Sequence, residues 1–145
     1  MEFSSPSADA DAQRCERRLA DCGIRPTAQR VRIASLLLSC PQHLSAEQIL
    51  ASLRVAGARV SKATVYNTLN LFVEKKLIRE VIVDPDRVFY DPNTAPHYHI
   101  YNIETGQLTD IDAQDVRIEG LPKLPPGMVT ESMDIIIRVR GGTLN

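Results

Sequence analysis

The chain lacks several things that would settle its class at once. No run approaches the roughly 20 consecutive apolar residues that span a bilayer. The first residues, MEFSSPSADADAQ, are acidic and polar, where a secretory signal is basic and then apolar. No membrane partner is therefore expected, and the cytoplasm is the expected compartment. Cysteine is sparse: Cys15, Cys22 and Cys40 are odd in number and form no C-x-x-C pair. That argues against a disulfide framework or a cysteine zinc site and for reduced thiols. Internal repeats are missing, and low complexity is confined to the first dozen residues. Histidine is also scarce, with three in 145 residues, yet two of them stand two positions apart.

What the sequence does have is 43% hydrophobic residues, enough for a real core in one ordinary domain or two small ones. The net charge of −1 hides a split, because residues 13–90 hold 13 of the 17 lysines and arginines but only 7 of the 18 acids. That segment carries about +6 and the remainder about −7 on ordinary side-chain charges. A basic front would suit a polyanion and an acidic back would suit cations, although charge also varies along any chain.

Residues 1–12 show no apolar periodicity and are expected to form a disordered tail. Three helix-like segments follow. The first starts after GIRPT, with Thr27 as a cap and Val31, Ala34 and Leu38 as its apolar face; Cys40-Pro41 should end it. The second opens at Ser45, with Gln48 completing a capping box and Ile49, Leu50 and Leu53 facing a core; Ala56-Gly57 closes it. The third is capped by Ser61, and Val65, Leu69, Phe72, Val73 and Leu77 form one face. REVIVDPDRVFYD then reads as a hairpin about Asp84-Pro85-Asp86. Three helices and a hairpin are the order of a winged helix-turn-helix.

From about residue 95 the pattern is strand-like. HIYNI and QLTDI flank a turn at Glu104-Thr105-Gly106, LPKLPPG is an irregular connector, and MDIIIRVRG is a β-branched strand. The expected fold class is α+β: a winged helix-turn-helix over residues 13–91, then a small α/β or mostly β unit over residues 92–145. A unit of about 50 residues is marginal alone and would gain from pairing with a second copy.

The third helix presents the residue types that read DNA. Tyr66 can contact a thymine methyl and Asn67 a base edge, while Lys62 and Thr64 in the first turn can bind phosphate. An ordinary solvated face would carry similar residues. His97 and His99, two apart, point to the same side of a strand and can share one ion. Asp91 precedes them, Asp110 lies where cross-strand pairing can return it toward them, and His43 stands before the second helix. Imidazoles with carboxylates suit Fe(II), Mn(II) or Zn(II). Each of the five alone would more often be an ordinary surface or turn residue.

The stretches GIRPTAQRVRI, HLSAEQIL and VSKATVYNTLNLFVEKKLIREV, with R-x-T-x-x-R and A-T-V-Y among them, resemble the ferric uptake regulator superfamily over residues 23–140. ATVYNTLN, FYDPN before the histidines, and the ending D-x-x-I-R-V-R look most like its iron response regulator subgroup. The resemblance implies that Tyr66 and Asn67 enter the major groove of double-stranded DNA, with Lys62 and Thr64 near the backbone, Arg25 by the minor groove and Arg30 on phosphate. Asn67 stands where many members have arginine. It also implies a homodimer on palindromic sites, and one regulatory metal per protomer held at places matching His43, Asp91, His97, His99 and Asp110. A structural zinc bound by four cysteines is not expected, since Asn102 and Thr105 stand at the first cysteine pair and the chain ends RGGTLN. Pro96 and Tyr98 likewise replace ligands of a third site. Haem is the rival effector, with His97 or His99 as axial ligand and Cys40-Pro41 resembling a haem-regulatory motif.

The expected function is thus a metal- or haem-responsive transcriptional regulator of iron homeostasis. A peroxide sensor of the same superfamily is the alternative, because aspartates fill both carboxylate positions. A small non-haem metalloenzyme is the remote one: no catalytic groups beyond the ligands and no small-molecule substrate pocket are indicated, so no enzyme activity is expected.

Overall fold

The structure, a computed structural model, describes residues 8–39 and 43–142. Its element order is α1 (Ala8–Asp21), α2 (Ala28–Leu38), α3 (Ala46–Val55), α4 (Lys62–Glu74), β1 (Arg79–Asp84), β2 (Arg87–Asp91), β3 (His97–Asn102), β4 (Leu108–Asp112), a 3-10 turn (Ala113–Asp115) and β5 (Ile136–Val139). This is the expected α+β class.

The helix starts follow their caps. Thr27 Oγ1 accepts the Arg30 N–H at 3.3 Å and Ser61 Oγ accepts the Thr64 N–H at 3.1 Å. Ser45 and Gln48 form a reciprocal capping box, at 3.2 and 2.9 Å. Each satisfies amide donors that the first turn leaves without an intrahelical partner.

Three helices also end alike. After α1, α3 and α4 one residue turns left-handed (Gly23, Gly57 and Lys76), and the next amide reaches back five residues to Leu19, Leu53 and Phe72. This is the Schellman termination. Only Lys76, with φ 63°, adopts it without being glycine.

The helix count differs from the expected three. Residues 8–12, expected in the tail, begin α1. Asp9 and Asp11 favour its N-terminus and Arg18 its last turn, and among the side chains described along it Cys15 and Leu19 alone are buried. Two buried side chains make too faint a stripe to stand out as a period. The α2 face also differs. Ile33, Ala34 and Leu37 are buried, whereas Val31 and Leu38 are half-buried. Because AQRVRIASLLL is apolar around most of its circumference, spacing alone does not select a face. Leu77 is buried as expected, but from beyond the end of α4, through the reversal at Lys76. Cys40-Pro41, taken as helix stop and haem motif, lies outside the described residues.

The chain divides into two compact units between Thr94 and Ala95. In the first, Leu19, Ile33, Leu37, Ile49, Leu69 and Phe72 are fully buried in the helical core. Beside it β1 and β2 pair antiparallel, Val81 opposite Phe89, and Asp84 Oδ1 accepts the Asp86 N–H at 2.9 Å to tighten the tip. This is the wing.

In the second unit β3 is central, antiparallel to β4 and parallel to β5. The Glu104-Thr105-Gly106 turn forms as expected, with the Gly106 N–H donating to Asn102 O at 2.8 Å. The proline-rich connector carries no regular element. Tyr101 is the single buried apolar side chain here among the described residues, alongside the polar His97, His99 and Asn102.

Candidate functional site

In the first unit, main-chain pairing positions the candidate ligands. Leu44 and Tyr90 form an isolated antiparallel bridge: the Leu44 N–H donates to Tyr90 O at 3.2 Å and the Tyr90 N–H returns to Leu44 O at 2.8 Å. The residues on either side, His43 and Asp91, are thereby brought alongside. His43 Nε2 stands 3.0 Å from Asp91 Oδ2, and the other Asp91 oxygen accepts the Asn93 N–H at 2.9 Å. Asp91 is 2% exposed. A carboxylate so removed from water requires a cationic or hydrogen-bonding neighbour.

In the second unit the strand register performs the same task. His99 lies directly opposite Asp110, and the two-residue period puts His97 on the same face. His97 Nε2 and His99 Nε2 stand 3.6 and 3.4 Å from Asp110 Oδ1, with the rings edge to face at 4.6 Å between centroids. His97 Nδ1 donates to Ala95 O at 2.7 Å. In the neutral ring this leaves the Nε2 lone pair toward Asp110, the usual arrangement of a ligating histidine held by its second nitrogen. Bonds of about 2.1 Å to a tetrahedral ion would separate ligand atoms by about 3.4 Å, and both imidazole–carboxylate distances lie close to that spacing. Two borderline imidazole donors with one hard carboxylate suit Fe(II), Mn(II) or Zn(II).

The nucleic-acid candidates all lie in the first unit. On α4, Lys62 and Asn67 are exposed and Tyr66 is half-buried. Lys62 Nζ sits 5.8 Å from the Tyr66 ring centroid, a cation over a π face. The Thr64 hydroxyl lies 2.8 Å from Ser61 Oγ, so it is engaged in the cap and would have to exchange that bond for a phosphate. Arg30 Nη1 donates to Arg25 O at 2.8 Å, which joins the two arginines at the start of α2.

One contact was not foreseen from sequence. The Tyr66 hydroxyl donates to Glu47 Oε1 at 2.6 Å, from α4 to α3. That bond, first among the causes, holds the Glu47 carboxyl below its ordinary range and pushes the Tyr66 phenol up. Nineteen residues separate the two, and no local pattern signals the pairing.

The model of the ferric uptake regulator family matches residues 21–134. The chain belongs to the ferric uptake regulator family. The peroxide-responsive repressor PerR of Staphylococcus epidermidis (strain ATCC 12228 / FDA PCI 1200) is 31% identical over 110 residues, covering 76% of this chain and 73% of that one. Among solved structures, the ferric uptake regulator of Pseudomonas aeruginosa with manganese shares 26% identity at a TM-score of 0.65, covering 88% of this chain and 98% of that one. The Vibrio cholerae ferric uptake regulator superposes with a TM-score of 0.68 at 18% identity, over 87% of this chain and 98% of its own; that likeness concerns the fold. The four described helices and the small sheets here match the α+β fold of these ferric uptake regulators.

Proposed function

We propose that this protein is a metal-responsive DNA-binding transcriptional regulator of iron homeostasis that acts as a cytoplasmic homodimer on palindromic operators and is not an enzyme. The observation that carries the reading is the register of β3 and β4, which aligns His97, His99 and Asp110 as a three-donor set in a chain that also bears a winged helix. Family membership supports it.

His43, Asp91, His97, His99 and Asp110 would together hold one divalent transition metal per protomer, and haem on His97 or His99 is the competing effector. Occupancy of that site would then set DNA affinity, as a shift in the population of DNA-competent dimer. The motifs ATVYNTLN and FYDPN favour the iron response regulator subgroup. The absence of a four-cysteine zinc is part of the same reading: Asn102, at a cysteine position of the family pattern, uses its amide to hold the β3–β4 turn and Gly141. Exposed Leu121, Leu124, Met128 and Val129 would be covered by the partner copy.

Mobility of a palindromic AT-rich duplex, with the metal-free, Mn(II)-loaded and haem-loaded protein, tests the reading. Binding should be sequence-dependent, weaken with salt and shift with effector. A His97→Ala/His99→Ala double variant should keep its circular dichroism and lose the shift. An unchanged effector response in that variant would sink the proposal.

A peroxide sensor is the second reading. It is favoured by the aspartates at both carboxylate positions and by the relative named as a peroxide-responsive repressor. After Fe(II) and peroxide, mass spectrometry should then find one added oxygen on His43 or His97, and its absence would remove this reading.

A further inference from the structure

We propose that Glu47 is a positioning residue for DNA reading, holding the Tyr66 ring in the orientation that meets the base edges. The inference rests on α4 being the element that reads DNA. It begins with the 2.6 Å bond from the Tyr66 hydroxyl to Glu47 Oε1 and the Lys62 ammonium 5.8 Å above the ring. A tyrosine has two side-chain torsions, so a tether at its far end with a cation on its face leaves the ring little freedom. The anchor is itself fixed. Glu47 is the second residue of α3, inside the Ser45–Gln48 capping box, where the helix N-terminus favours a carboxylate.

The charge of Glu47 makes this arrangement costly for simple phosphate binding. Residues 13–90 carry an excess of basic residues, which suits a phosphate backbone, and a carboxylate beside the reading helix opposes that attraction. Lys62 and Arg87 are the cations that act on it. An anion here lowers affinity for every duplex equally. Ordering Tyr66 raises only the discrimination between duplexes, because base contacts specify and phosphate contacts do not. Charge and acceptor can be separated: glutamine keeps the acceptor oxygen without the charge, and alanine removes both.

The experiment uses the full chain with Mn(II). A duplex enriched by the protein from a random-core library is compared with its scrambled counterpart by fluorescence anisotropy over a salt series. Glu47→Gln should bind both duplexes several-fold more tightly and keep their affinity ratio within about twofold, since only a uniform electrostatic term changes. Glu47→Ala should lower the ratio by about five- to tenfold, the lower part of the range for one base contact. Tyr66→Phe should lower it similarly, and the Glu47→Ala/Tyr66→Phe pair no further, because both remove the same bond.

Ultraviolet titration of the four tyrosines gives a readout without DNA: Glu47→Ala should bring one phenol to lower pH. A ratio unchanged in Glu47→Ala but reduced in Tyr66→Ala would overturn the positioning role, as would an unchanged phenol titration. A ratio unchanged in Tyr66→Ala, or failure to enrich any duplex, would remove the reading of α4 and this inference with it.

Discussion

The two units of this chain are stabilised by different materials. In the first, nearly every buried side chain is apolar, from Leu19 and Ile33 to Leu69 and Phe72. In the second, Tyr101 stands almost alone as a buried apolar residue, while His97, His99 and Asn102 are buried and polar, and Leu121, Met128 and Val129 face outward. A unit closed by an apolar core stands by itself; one closed by hydrogen bonds and candidate ligands depends on what binds it. The apolar core and the buried polar cluster thus fall in different halves of the sequence.

The sharpest way to break the comparison is at Phe72, which is fully buried. Phe72→Ala should cost about 3–5 kcal/mol in urea denaturation followed by helical circular dichroism, since the four α-helices among the described residues lie in the first unit. A loss below about 1 kcal/mol would mean that this core is not closed as described.

The matching change in the second unit removes polarity. Asn102 Oδ1 accepts the Glu104 and Thr105 amides at 3.0 and 3.2 Å, and its Nδ2 donates to Gly141 O at 3.3 Å. Asn102→Ala leaves those groups to water or to nothing and should cost about 1–3 kcal/mol. Amide exchange across β3 and β5 would speed up accordingly, while the helices exchange as before. Helices that speed up equally would show the two halves to be one cooperative block.

The smallest test is Lys76. Its left-handed conformation is one that glycine adopts freely, so Lys76→Gly should be neutral or stabilise the first unit by up to about 1 kcal/mol, read from the same denaturation midpoint. A clear destabilisation would show that the lysine side chain contributes more than its backbone strain costs.

Much of this was legible in the residues. The caps Thr27, Ser45 and Ser61, the Asp84-Pro85-Asp86 turn and the return of Asp110 opposite His99 all follow from local chemistry or a period of two. Other features were not. α1 buries too few side chains to show a stripe, and α2 is apolar on too many sides to name its face. Leu77 reaches the core only through the reversal at Lys76. The Leu44–Tyr90 bridge and the Glu47–Tyr66 bond join residues far apart in sequence, and long-range pairing leaves no periodic trace.

That bridge carries one more consequence. The backbones of His43 and Asp91 are brought alongside by two main-chain hydrogen bonds between their neighbours. Backbone placement is thereby separated from side-chain identity: either residue can be exchanged while the surrounding scaffold stays as it is.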